Sequence, residues 1–148
     1  MRAKILNASA GSGKTYQLAY KYVRDVVEQP SIYRHILAVT FTNKATEEMK
    51  SRILKEIHLL ASGGESSYLE NLCRELDMDA ATVRRRAAEV RSKILHDYSR
   101  FTVLTIDTFF QRILRAFIKE LGIDLNYNVE IETASVLSKG ADTLIEQI

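Results

Sequence analysis

Ala8-Ser9-Ala10-Gly11-Ser12-Gly13-Lys14-Thr15 is the stretch on which the fold turns. It meets the pattern G-x-x-x-x-G-K-[ST] at every fixed position but the first, where Ala8 stands in place of glycine. Gly11 and Gly13 keep side-chain bulk out of the turn. The backbone N–H groups from Gly11 through Thr15 can therefore point inward around an anion. Ala3–Asn7 reads as a short buried strand running into the turn, and helical spacing starts at Gly13. The loop thus opens a helix, whose N-terminus favours negative charge. In that setting Lys14 reaches the β- and γ-phosphates of a nucleotide, and the Thr15 hydroxyl can hold Mg²⁺. The expectation is an ATP·Mg²⁺ site built from residues Ala8, Ser9, Ala10, Gly11, Ser12, Gly13, Lys14 and Thr15.

Outward from the loop, strands and helices alternate. Leu18, Ala19, Tyr22, Val23, Val26 and Val27 recur at helical spacing up to about Glu28, and Pro30, the only proline, ends that helix. His35–Thr40 reads as a second strand. Asn43–Ala61 reads as an amphipathic helix with Ala45, Met49, Ile53, Ile57 and Leu60 as its apolar stripe, broken at Ser62-Gly63-Gly64. Two further helices are predicted at about Ser67–Leu76 and Ala80–Tyr98, joined by a turn at Asp77–Asp79. Phe101–Ile106 is a third strand. Thr108–Leu121 is a helix opened by a capping box between Thr108 and Gln111 and closed at Gly122. Tyr127, Val129 and Ile131 alternate like a short strand, and a helix-like run follows to Ile148.

This order predicts the α/β class, with a parallel sheet flanked by helices. Three strands make a small sheet, and the last segment stops without a cap or turn. The expected organisation is therefore an incomplete domain over residues 1–122 with a helical insertion at about 65–98. Residues 123–148 would begin a following, truncated helical subdomain.

Composition narrows the partners. The 148 residues fit one domain, and 46% hydrophobic residues supply a core. A net charge of +2 does not announce a nucleic-acid binder, so any basic surface must be local. The single Cys73 excludes an internal disulfide and reads as a small buried hydrophobe. His35, His58 and His96 lack metal-ligand spacing. No apolar run approaches the roughly 20 residues of a membrane span, and Met1-Arg2 leads too soon into polar sequence for a signal peptide. The expected location is the cytoplasm, with no membrane partner.

Two further stretches narrow the class. Residues 36–53, ILAVTFTNKATEEMKSRI, closely resemble the second motif of superfamily 1 helicases of the UvrD/Rep type. Residues 102–115, TVLTIDTFFQRILR, resemble the next motif, and ASAGSGKT fits the same family, which commonly carries Ala or Gly first. The three motifs stand in order across residues 3–118, and the TIDTFFQRIL wording looks most like the AddA/RecB helicase–nuclease branch. The resemblance implies a partial RecA-like P-loop NTPase domain from an ATP-dependent DNA helicase/exonuclease subunit, with ATP and Mg²⁺ as cofactors. It also implies three partners: single-stranded DNA, the second motor domain in the remainder of the helicase chain, and a helicase–nuclease partner subunit.

Site roles follow from the same resemblance. Phe41 would stack on a base, an interaction worth roughly 1–3 kcal/mol. Thr42 and Asn43, at a helix N-terminus, would hold a backbone phosphate. Taken without the resemblance, Phe41 reads as core and Thr42 and Asn43 as helix caps. Thr105, Asp107 and Thr108 fall in the DNA-side motif. The apolar run ending at Asp107 imitates a Mg²⁺-binding Walker B strand, but Thr108-Phe109-Phe110 supplies no adjacent glutamate. The family's Asp-Glu-x-x-Asp would lie downstream, so Asp107 is assigned to the DNA side, where many relatives carry His. A helix cap is its plainer role.

Arg84-Arg85-Arg86, with Arg91, Lys93 and Arg100, forms the densest basic stretch. Such a run is usually a solvated helix face; touching DNA phosphates, it would make binding salt-sensitive. Residues 119–148 hold no Asp-Glu pair of the Walker B kind, and neither a later arginine motif, an upstream glutamine motif nor a second motor domain is present. The chain by itself is expected to bind ATP·Mg²⁺ weakly, without hydrolysing it or unwinding DNA. Two rival readings stand beside this one. The first is a self-contained P-loop nucleotide kinase, with Asp107 on magnesium and Arg84–Arg86 as a phosphate-clamping lid; the TFTNKATEEM segment argues against it. The second is a non-catalytic nucleotide- or DNA-binding module.

Overall fold

A computed structural model describes residues 13–120 of the chain. The strand expected at Ala3–Asn7, the loop before Gly13, the stop at Gly122 and the elements of 123–148 lie outside the described residues. The chain divides into two compact units, Met1–Phe109 and Phe110–Ile148.

In the first unit, helix α1 spans Lys14–Glu28 and buries Ala19, Tyr22, Val23, Val26 and Val27. Leu18 lies off that stripe and is half-exposed. Gln29 is extended, with φ −137°, because the residue before a proline is pushed out of the helical region. Pro30–His35 then forms a 3₁₀ helix that periodicity did not anticipate, so strand β1 begins late, at Leu37–Thr40. Helix α2 spans Asn43–Ser62 and stops at Gly63, whose φ of 78° is the left-handed cap that glycine adopts without strain. The Gly64 N–H donates to the Leu59 carbonyl at 2.9 Å. The buried stripe of α2 is Thr46, Met49, Ile53, Ile57 and Leu60. Thr46 heads it, in place of the expected Ala45, because its hydroxyl finds partners inside.

Helices α3 (Leu69–Leu76) and α4 (Ala80–His96) follow, then a 3₁₀ turn at Tyr98–Arg100 and strand β2 at Thr102–Thr105. Asp79 caps α4 by accepting the Thr82 N–H at 3.2 Å. Hydrogen bonding from the Thr82 side chain first, and from this backbone N–H after it, favours the ionised form and holds the Asp79 carboxyl below its ordinary range. Helix α5, Ile106–Glu120, starts directly on β2. Its cap is the Thr105 hydroxyl, which accepts the Thr108 N–H at 3.2 Å, rather than a box at Thr108 and Gln111.

β1 and β2 pair in parallel, with Leu37 opposite Thr102 and Thr40 opposite Thr105. Parallel neighbours need a long crossover, which α2, α3 and α4 supply. Helix α2 packs on α4, on α1 and on both strands. The core therefore lies among the helices: Val23, Val26 and Val27 meet Ile53, Ile57, Leu60, Val83, Val90 and Ile94, all essentially solvent-free. Each such aliphatic side chain contributes about 1.5–3 kcal/mol by its burial. Thr40, Val103 and Thr105 point into this layer, while Leu37 and Val39 remain partly in solvent. In the second unit the described residues are those of α5 from Phe110, where Phe110, Leu114 and Phe117 are exposed at helical spacing.

Candidate functional site

The N-terminal end of α1 is built around Gly13, its N-cap, at φ 76° and ψ 17°. A Cβ there would meet nothing within 4 Å, so the demand for glycine is conformational rather than steric. The Gln17 N–H donates to the Gly13 carbonyl at 2.9 Å and closes the first turn. No side chain comes from the N-cap and no acidic residue stands in that turn, so neither competes with an anion for the N-terminal amides. Lys14 is exposed and Thr15 half-buried at this end. Among the described residues no three His, Cys, Asp or Glu side chains gather to hold a metal ion. At this end Thr15 is the described residue whose hydroxyl could serve as a metal ligand.

The second part of the site is the carboxyl edge of the strand pair. Because Thr40 and Thr105 are register partners, the segments that leave β1 and β2 start side by side. At strand spacing they are about 4.8 Å apart. Both junctions are built from threonine pairs. The Thr40 and Thr46 hydroxyls contact each other, and both lie within reach of the Thr42 carbonyl, at 3.2 and 3.1 Å. Each hydroxyl has one proton, so one donates to that carbonyl and the other to its neighbour. On β2 the Thr105 and Thr108 hydroxyls lie 2.8 Å apart. Thr40, Thr46 and Thr105 are buried, which anchors both junctions in the core layer.

What these junctions present is unequal. Phe41 is 86% exposed, so the reading of it as core fails. Thr42 does cap α2: its hydroxyl oxygen accepts the Ala45 N–H at 3.1 Å, which leaves its own proton available. Asn43 is exposed at the first helical position. Asp107 is exposed in the first turn of α5, where the helix dipole favours a carboxylate; the capping bond belongs to Thr105.

The arginine run does not form one face. Arg86 Nη1 donates to the Val27 carbonyl at 3.3 Å and to that of Glu28, closing the C-terminal end of α1. The last turn of α1 has no basic residue of its own. Spacing along α4 could not disclose this role, because Arg86 and its acceptors are 58 and 59 residues apart. Arg84 rests against Gly63, where an added Cβ would stand 3.0 Å from its Nη1. Arg91 approaches His58 Nδ1 at 3.5 Å, and Lys93 pairs with Glu89 at 2.8 Å. Arg85 and Arg100 are exposed. At 1.5 Å per residue, Arg86 holds α1 about 20 Å from Lys14.

The same sequence is similar to parts of much longer proteins. It is 28% identical to an ATP-dependent helicase/nuclease subunit from Lactobacillus delbrueckii subsp. bulgaricus, across 89% of this chain and 9% of that protein. It is 28% identical to the RecBCD enzyme subunit RecB of Haemophilus influenzae, across 93% of this chain and 13% of that one. For the RecB subunit of Escherichia coli K12 the figures are 29%, 81% and 11%. The chain thus spans about a tenth of the length of these relatives. No described helix is long and apolar enough to cross a membrane. Matched by the family model over residues 2–148, the chain belongs to the UvrD/REP helicase N-terminal domain family.

Proposed function

We propose that this chain is the front part of an ATP-driven DNA motor, with ATP·Mg²⁺ at Ala8–Thr15 and single-stranded DNA along the carboxyl edge of the strands. The observation that carries this reading is the register of Thr40 with Thr105, which brings Phe41–Asn43 beside Asp107–Thr108. Ligands of open α/β sheets lie outside the carboxyl ends of the strands, where this edge is. An exposed aromatic ring beside two helix N-termini suits a base and its phosphates.

Within that reading Lys14 and the α1 amides orient the β- and γ-phosphates, and Thr15 holds Mg²⁺. Bound ATP supplies the phosphoryl-transfer energy that drives stepping. The proposed P-loop NTPase domain runs over residues 1–122, with 65–98 inserted and 123–148 opening the next subdomain. The relatives are named as subunits of a helicase/nuclease and of the RecBCD enzyme, which supports a parent enzyme with a further protein partner; a second motor domain in the rest of that parent belongs to the same reading. The chain alone binds nucleotide without turning it over, because the carboxylates and arginines needed for hydrolysis are outside it.

Titration of the chain with a fluorescent ATP analogue and Mg²⁺ tests this reading. Saturable binding that Lys14→Ala abolishes is the expected result. Equal binding by the variant, or substantial ATP turnover that Lys14→Ala removes, contradicts it. The kinase reading loses support because Arg86, one member of its lid, is spent on the far end of α1. Phosphoryl transfer to a mononucleotide by the purified chain would restore it.

A further inference from the structure

The segment between Gly63 and Asp79 has no part in the proposed nucleotide or DNA contacts, yet it reaches the start of α1. Tyr68, just before α3, is fully buried. Its ring stands edge-on to Tyr16, with centroids 5.1 Å apart at 83°, and to Tyr20, at 5.2 Å and 86°. Tyr16 directly follows Lys14-Thr15, and Tyr20 lies one turn further on. The Tyr68 hydroxyl donates to the Tyr16 carbonyl at 3.4 Å, and the Tyr16 hydroxyl donates to Ser67 Oγ at 3.5 Å.

Tyr68 is itself held. Its N–H donates to Ser66 Oγ at 3.2 Å, and that hydroxyl donates to Glu56 Oε2 of α2 at 2.6 Å. Its carbonyl accepts the Leu72 N–H at 2.9 Å. The need for such a support is visible in α1: Lys14, Gln17 and Leu18 are exposed, and full burial begins only at Ala19. Helix ends of this kind fray unless something outside the helix holds them.

We infer that Tyr68 is a positioning residue for the phosphate-binding end of α1, fixing where Lys14 and Thr15 stand through its packing on Tyr16 and Tyr20. The inference rests on the reading of Lys14 and Thr15 given above. Of its two kinds of contact, the ring edges dominate, because an O–H···O distance of 3.4 Å is well beyond the usual 2.7–2.8 Å. Tyr68→Phe therefore keeps most of the effect and Tyr68→Leu loses it.

Two measurements on the 148-residue chain test this. The first is amide hydrogen exchange without nucleotide at Gln17, Leu18, Ala19 and Tyr20, compared with Val26 and Val27. The second is affinity for a fluorescent ATP analogue with Mg²⁺, taken well below each variant's unfolding midpoint. Val90→Ala, a core cavity in α4, serves as the control for stability loss alone. Tyr68→Leu should speed exchange in the first turn selectively, by about tenfold, and weaken nucleotide binding by a similar factor. Tyr68→Phe should restore both, and Val90→Ala should produce neither selective effect. Unchanged first-turn exchange in Tyr68→Leu overturns the inference. So does nucleotide binding that is unchanged in that variant while Lys14→Ala abolishes it. If the wild-type chain binds no nucleotide at all, the reading of Lys14 fails, while exchange still decides whether Tyr68 holds the helix end.

Discussion

Removing the Arg86 guanidinium leaves two carbonyls at the end of α1 without their charged donor. Hydrogen bonds to charged groups are worth about 1.5–3 kcal/mol, and part exposure places this one at the lower end. Arg86→Ala should therefore lower the urea unfolding midpoint by the equivalent of about 1–2 kcal/mol without changing the salt dependence of oligonucleotide binding. Arg85→Ala, at an exposed position, should stay within about 0.5 kcal/mol of the parent. Equal stability losses would show that the two arginines do the same work. Their difference was not legible in the sequence, because Arg86 acts on Val27 and Glu28 through tertiary packing. Phe41 is the converse case. The residues alone placed it in the core; the resemblance to the helicase motif placed it outside, where 86% of it is exposed.

At the scale of elements, the helices were legible because 3.6-residue spacing reports directly on burial, as Val23, Val26 and Val27 show. Junctions were less so. The 3₁₀ turn at Pro30–His35 displaced the start of β1, and the cap of α5 moved from Thr108 back to Thr105, since a buried strand-end hydroxyl can serve the next helix. The junction after β1 has its own test. Thr42→Ala removes the acceptor for the Ala45 N–H and should cost about 1 kcal/mol in thermal or urea unfolding. Thr42→Ser keeps the oxygen and should recover most of that. A Thr42→Ala chain as stable as the parent would show that the N-cap bond contributes nothing to α2. On β1 itself Leu37 and Val39 remain half-exposed while Thr40 is buried, a difference between the two faces of one strand.

For the molecule as a whole, stability in alkali reports on the packing that joins α1 to the segment before α3. Burial is the main cause that pushes Tyr68 up to about 12, and burial followed by the Glu75 charge does the same for Tyr20, from an ordinary 10.0. A folded-state pKa above the unfolded one means that the fold binds these protons more tightly. Their contribution is complete below pH 10 and is lost as pH rises through about 12. The melting temperature should fall across that window together with tyrosinate absorbance, and Tyr68→Phe should flatten the fall. A melting temperature that is level across the window would contradict the burial of these hydroxyls.

The central claim is that the carboxyl edge of β1 and β2 is a track for single-stranded DNA. Its most direct test is fluorescence anisotropy of a labelled single-stranded oligonucleotide titrated with the parent chain and with Phe41→Ala, alongside their melting temperatures. One lost stacking contact at about 1–3 kcal/mol predicts binding weakened by roughly 5- to 150-fold. The melting temperature should not move, because the ring is in solvent. Equal affinity of the two chains for the oligonucleotide would contradict the account.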